Sequence, residues 1–273
     1  MAILTVHFGD EHVGSSLALC PPEVGLDDGG SYKASPLQLW YWECWLRLWA
    51  YVAKIKESGV KVLAVCGGDE RDGDHHRTVQ LWAANEHDQD RAAMQALAVP
   101  ARIVDAWAFV RGTEAHDGPA SAATERYAEA MARDHCVLRN GNQFSWWCWT
   151  GQVEGVKIEV AHAPGTKSWV PHTRAPAASR HAFYTWEEYM EDGIDPPDIV
   201  IRHHVHYHAG PGCHEDTCCY IVPGWQAATA YVNNRVMSAR RVRRPGALLL
   251  YCDKGSYRHE WKLYRPKSGV AWA

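Results

Sequence analysis

Apolar positions along the chain follow two rhythms. Ala2 to Phe8 is a short run with β-branched members, closed by Gly9, and its length and composition predict a buried strand. Val60 to Cys66 repeats the pattern and stops at two glycines; Trp107 to Val110 gives a third strand. Between the first two, Ser35 and Pro36 stand as N-cap and first helical residue, and Gly59 as a C-terminal stop. Tyr41, Cys44, Trp45, Leu48, Val52 and Ile55 recur between them at helical spacing, which predicts a long amphipathic helix. Thr78 to Leu97 and Ala122 to Arg133 are further helical stretches. Strand and helix in alternation predict βαβ units around a parallel sheet.

After about residue 140 the rhythm shortens. Phe144 to Trp149 and Val153 to Val160 predict a hairpin, and Ile199 to His208, Cys219 to Val222, Ala227 to Val232, Leu248 to Cys252 and Trp261 to Tyr264 predict strands. Arg180 to Glu191 alone reads as helical there. No repeat or low-complexity linker divides the halves, so the expectation is one α/β domain over residues 1–273, with two packed β layers and helices outside.

Composition narrows the functional classes. The 28 Lys and Arg against 32 Asp and Glu leave a formal charge of −4, so no global positive field draws in a polyanion. A nucleic acid would have to be held by a local patch or by cations. No apolar run approaches the ~18 residues of a membrane span, and the start lacks the basic region of a secretory signal; a cytoplasmic chain with no membrane partner is expected. Nine cysteines, an odd number, fit reduced thiols better than a disulfide framework. Cys213, His214, Cys218 and Cys219 concentrate soft ligands without the second pair of a structural zinc site.

The 16 histidines are the unusual feature, and several stand with carboxylates at predicted strand ends. Asp10 and His12 in GDEHVGS follow the first strand, two apart and so able to converge on one ion. Asp69 in GGDERDG follows the second; Thr113, Glu114 and His116 follow the third; His162 ends VKIEVAH. IVIRHHVHYH places His204, His206 and His208 on one strand face at steps of about 6.6 Å. Loops leaving the C-terminal ends of parallel strands converge where α/β proteins bind ligands.

In order and spacing these segments resemble the calcineurin-like metallophosphoesterase superfamily, especially its phage-encoded members, over nearly the whole chain. GDEH is similar to the first motif of that family, GGDERDG to the second and RHHVH to the final Gly-His-x-His. The resemblance implies a four-layer αββα sandwich, with two mixed β-sheets and flanking helices. It implies two divalent ions, with Asp10, His12 and His206 serving the first, His162 and His204 the second, and Asp69 bridging both. The usual Gly-Asn-His-Asp/Glu motif stands here as Gly112 to His116, with Thr113 where an amide ligand belongs and His116 one residue late as the acid that protonates the leaving group. Thr113 or Glu114 is the replacement ligand, and His203 occupies the place of the final motif's glycine.

The chemistry expected is metal-dependent hydrolysis of a phosphodiester, a nucleic acid or a nucleotide, by hydroxide held between two cations. Mixed imidazole and carboxylate ligands favour Mn first, with Fe, Zn or Ni as alternatives. A binding module that has lost the second metal through Thr113 and a mononuclear zinc hydrolase of another bond are the competing readings. Arg174 and Trp225 are candidates for lining the substrate mouth, with His172 beside them. The run holding Arg235, Arg240, Arg241, Arg243 and Arg244 could track a nucleic-acid backbone, or simply alternate along a surface strand.

Overall fold

The computed structural model describes residues 2–75, 78–162, 174–229 and 244–265, with side chains of 174 and 175 left out. Its elements are β1 (Ile3–Phe8), β2 (Glu23–Gly25), β3 (Ser31–Lys33), α1 (Pro36–Lys56), β4 (Lys61–Cys66), α2 (Glu86–Ala101), β5 (Ala106–Val110), α3 (Glu114–Asp117), α4 (Ala122–Met131), β6 (Ser145–Trp146), β7 (Cys148–Val153), β8 (Val156–Ala161), α5 (Arg174–Glu191), β9 (Ile199–Arg202), β10 (Ala209–His214), β11 (Thr217–Ile221), β12 (Gly246–Asp253) and β13 (Ser256–Leu263).

Two mixed sheets form. The first has the order β13-β12-β1-β4-β5-β6, parallel from β1 through β6 and antiparallel at β12 and β13. The second has the order β10-β11-β9-β8-β7. Strand alternation divides the side chains into layers. Leu4, Val6 and Phe8 of β1 pack with Trp45, Leu48, Trp49 and Val52 of α1 and with Ala92 and Ala96 of α2. Leu63 and Val65 of β4, with Leu248 and Leu250 of β12, face Ile158, Val160, Ile199 and Ile201 of the second sheet. Val200, Cys219 and Ile221 on that sheet's other side meet Ala177, Ala178 and Ala182 of α5. The result is the expected helix, sheet, sheet, helix stack. Burial on both faces explains why the central strands read as unbroken apolar runs.

Helix α1 forms where its capping signals stand. Ser35 accepts from the Gln38 N–H while the Gln38 side chain accepts from the Ser35 N–H, and Pro36 supplies a preset first turn. The second helix begins eight residues later than its pattern suggested. Asn85 caps it, and residues 78–85 instead lie along the loop after β1, with Trp82 donating to the Gly14 carbonyl and stacking on Tyr32.

Four further expectations are corrected. The strand from Ile199 ends at Arg202, because His204 and His206 take left-handed backbone that no pleat accommodates. The hairpin turns at Glu154 and Gly155 rather than near Gly151. Ala227 to Thr229 form no strand, and residues 230–243, with Arg235, Arg240, Arg241 and Arg243, lie outside the described residues. Cys213 and Cys218 are paired across β10 and β11 and joined as a disulfide, so the cysteines are not all reduced. Among the described residues no helix is long and apolar enough to cross a membrane.

Candidate metal centre

Five loops meet at the C-terminal ends of β1, β4 and β5 in one sheet and β8 and β9 in the other. Pairing fixes this convergence: β1 is parallel to β4 and β4 to β5, while β8 is parallel to β9. The loops are tied to each other by backbone bonds, Asp10 N–H to Gly68 O, His12 N–H to Asp69 O and His203 N–H to His162 O. Asp10, His12, Asp69, His204 and His206 all have positive φ, between 47° and 70°, which turns their side chains inward from tight loops.

Four groups of side chains among the described residues could each hold a cation, three of them built on Asp10 or Asp69: Asp10, His12 and His206; Asp69, His162 and His204; and His12, Asp69 and His116. In the first, the Nε2 atoms of His12 and His206 lie 2.9 Å apart, and Asp10 Oδ1 is 3.3 Å from His206 Nε2 and 3.8 Å from His12 Nε2. In the second, Asp69 Oδ2 is 3.0 Å from His162 Nε2. The same Oδ2 is 4.0 Å from His116 Nε2, so one carboxylate faces two groups of imidazoles.

Neighbouring residues aim these atoms. Asp72 Oδ1 lies 3.1 Å from His12 Nδ1, His162 Nδ1 bonds the Gly67 carbonyl at 2.5 Å, and His116 Nδ1 bonds the Asp72 carbonyl at 2.6 Å. A ring whose Nδ1–H donates to a carbonyl offers the Nε2 lone pair on its other side. Asp10 Oδ2 accepts from the His204 N–H, leaving Oδ1 inward.

Whether these residues suit a divalent cation is testable on their polar atoms. Asp10 Oδ1 is fully buried with no hydrogen-bond partner, 3.3 Å from His206 Nε2 and 3.9 Å from His162 Nε2. A buried carboxylate oxygen left so is costly, and a cation held with His12 and His206 satisfies it. Imidazoles with carboxylates are also the donor set of borderline transition metals rather than of an all-oxygen cage. The residues fit.

The electrostatics agree with an acid-lined basic pocket. Burial alone would raise the Asp69 carboxyl, but the facing His162 and His116, with the His162 hydrogen bond, hold it far below the usual carboxylate range. Burial lowers His162, and the Asp69 charge and hydrogen bond more than reverse this, raising it to about 10. For His116 burial prevails and takes it down to about 4.

Thr113 stands at the site with its N–H 2.6 Å and its hydroxyl 3.1 Å from Asp69 Oδ1, so it orients the shared carboxylate. Glu114 turns away to accept from the Ala120 N–H. Trp225 is not at a substrate mouth. It is fully buried, with its ring edge-on to Trp45 at 4.9 Å and its backbone N–H donating to the Asp10 carbonyl, and it anchors the loop after β1 from beneath. Arg174 opens α5, and its side chain lies outside the described residues, as does His172. His208 belongs to none of the cation-holding groups.

Several contributors escaped the sequence reading. Asp72 and Gln226 form one hydrogen-bonded unit behind His12, and Asp117 accepts from the Asp69 N–H. Glu11, between the two residues of the first motif, is buried, and burial with the Glu70 charge pushes its carboxyl well up. His203 explains the departure at the final motif. Its ring fills the space left by two glycines: a Cβ on Gly67 would meet His203 Cε1 at 2.3 Å, and one on Gly9 would meet Nδ1 at 2.9 Å. Gly67→Ala is therefore expected to cost about 1–3 kcal/mol by overpacking. Thermal melting should show most of that cost vanish when His203→Ala is made in the same chain; equal costs in both backgrounds would show that the ring is not what fixes the glycine.

The fold and site together define a chain whose two sheets bring carboxylates and imidazoles into groups that could hold metal ions. No protein-family model matches the sequence, and no curated protein matches it at a significant level. Among solved structures, the chain is similar to a Vps29 double mutant from Entamoeba histolytica, with 13% identity over 96% of this chain and 100% of that one, at a TM-score of 0.40. It is similar to Vacuolar Protein Sorting 29 from Cryptosporidium parvum at 11% identity, covering 97% and 99% of the two chains, with a TM-score of 0.41. It is also similar to the purple acid phosphatase PPD1 from yellow lupin seeds at 12% identity, over 97% of this chain and 53% of that one, with a TM-score of 0.44.

Proposed function

We propose that the protein is a metal-dependent phosphoesterase whose substrate is a phosphodiester, a nucleotide or a nucleic-acid strand. The observation that carries this reading is Asp69, a buried, ionised carboxylate facing His162 on one side and His116 on the other, between two groups of ligand-type side chains. Asp10, His12 and His206 would hold one divalent cation and His162 and His204 the second, with Asp69 between them. Bound there, such ions lower the pKa of water and neutralise charge on a phosphoryl group during in-line displacement.

The chain's own residues supply position and a proton. Asp72 fixes the His12 ring, the Gly67 carbonyl fixes His162, and Thr113 fixes Asp69, so the pocket is organised before substrate arrives. His116 is held through Nδ1 with Nε2 on the side of Asp69, and a proton first taken up at Nε2 would be the one passed to the departing oxygen. Manganese is the ion of choice for this donor set, with iron, zinc or nickel as substitutes.

Chelation followed by metal addition tests the reading. Hydrolysis of bis-p-nitrophenyl phosphate should cease in stripped protein and return with Mn. Protein that regains two ions per chain without regaining turnover on any phosphodiester would be a cation-binding module instead.

A further inference from the structure

The loop after β4 carries more ligating groups than the two cation positions use. Asp72, His75 and His116 form a separate group in which one ligand atom from each lies within 4.8 Å of the others. His75 Nε2 is 3.7 Å and His116 Nδ1 3.6 Å from Asp72 Oδ1. Both separations exceed a good hydrogen bond, yet they are close to the ~3.4 Å edge of a tetrahedron of donors about 2.1 Å from a central ion. The hydrogen bond from His116 Nδ1 to the Asp72 carbonyl, 2.6 Å long, is the contact that an ion on Nδ1 would replace.

The surroundings suit an ion that keeps one open position. Asp72 is 2% exposed and pinned by the side chains of His12 and Gln226, whereas His75 and His116 are 19% and 14% exposed. The two rings meet edge-to-face, centroids 4.1 Å apart, so they do not shield each other by stacking. Two imidazoles and one carboxylate are a three-ligand set used by zinc when the fourth place is left to water or substrate.

We infer that Asp72, His75 and His116 form an additional site for a divalent transition-metal ion of the zinc type, beside the two-cation centre. His116 spans the two regions, with Nε2 toward Asp69 and Nδ1 toward Asp72. The site extends the proposed function and rests on it only in being counted as the third.

Metal content decides the matter without any activity measurement. Chelated protein is dialysed against Zn²⁺, and bound zinc per chain is determined by elemental analysis for wild type, His75→Ala and His75→Asn. His75→Asn keeps a polar side chain of similar size and guards against a folding artefact, which melting curves of the metal-free proteins also check. Each variant should hold one ion fewer than wild type, three falling to two. Equal zinc in wild type and both variants overturns the site, and the cluster is then a hydrogen-bonded support for His12. The ions retained by the variants report separately on the centre: two retained supports it, whereas none retained, with one lost, keeps the additional site and removes the proposed centre.

Discussion

Asp69→Asn is expected to reduce kcat/KM on bis-p-nitrophenyl phosphate by more than about 100-fold, because replacing even the groups that merely support metal ligands costs 10–100-fold. The substitution preserves size and can keep the Thr113 bonds to one oxygen, so the fold should survive. What it removes is the charge that faces both His162 and His116. His162 Nε2, 3.0 Å from Asp69 Oδ2, would face an amide in place of a carboxylate. Less metal should therefore accompany the lost turnover. His206→Ala, which takes one nitrogen from the first group only, should lower activity while leaving the ligands of the second in place. Full turnover by Asp69→Asn would remove the basis of the mechanism.

Trp45→Ala should have the largest effect on stability, about 3–5 kcal/mol, the usual range for emptying a large buried aromatic site. Trp45 is fully buried, donates its ring N–H to the Ala96 carbonyl at 3.1 Å, and touches Phe8, Trp49 and Trp225 edge-on at 5.4, 5.5 and 4.9 Å. Its removal also withdraws support from Trp225, whose backbone N–H holds the Asp10 carbonyl. At roughly 2–4 °C per kcal/mol for chains near this size, the melting temperature should fall by about 6–20 °C. A shift under two degrees would show that the helix layer repacks and that the ring cluster does not bind the loop after β1 to the core.

Much of this organisation is legible in the chain because its signals are local. Gly9 and Gly67 end apolar runs, and the acids and imidazoles follow at once, so strand ends and candidate ligands are read together. Helix α1 announces itself through Ser35, Pro36 and Gln38. What stays hidden depends on the backbone turning against its pattern or on distant partners. His203 to His208 alternate like a strand, and only the left-handed turns at His204 and His206 take them out of the sheet. Trp225 in a Gly-containing loop reads as exposed until Trp45 is placed against it. Cys213 and Cys218 look like two of nine thiols until hairpin register sets them side by side. Asp72 has the clearest unread signal, lying three residues beyond Asp69 in a glycine-flanked turn, yet its purpose is visible only when His12 arrives from another loop.

The inward-turned backbone at Asp10, His12, Asp69, His204 and His206 has a price in durability. Each left-handed residue with a side chain costs roughly 1–2 kcal/mol, and here the crowding falls on the residues assigned to the chemistry. If the proposed cations bind only the folded form, they offset such a burden, by about 2.7 kcal/mol for each site at a free concentration of 100 Kd. The bare polypeptide is then the frail form. Chelating agents would shorten its working life as well as silence it, and storage with a divalent salt would preserve both.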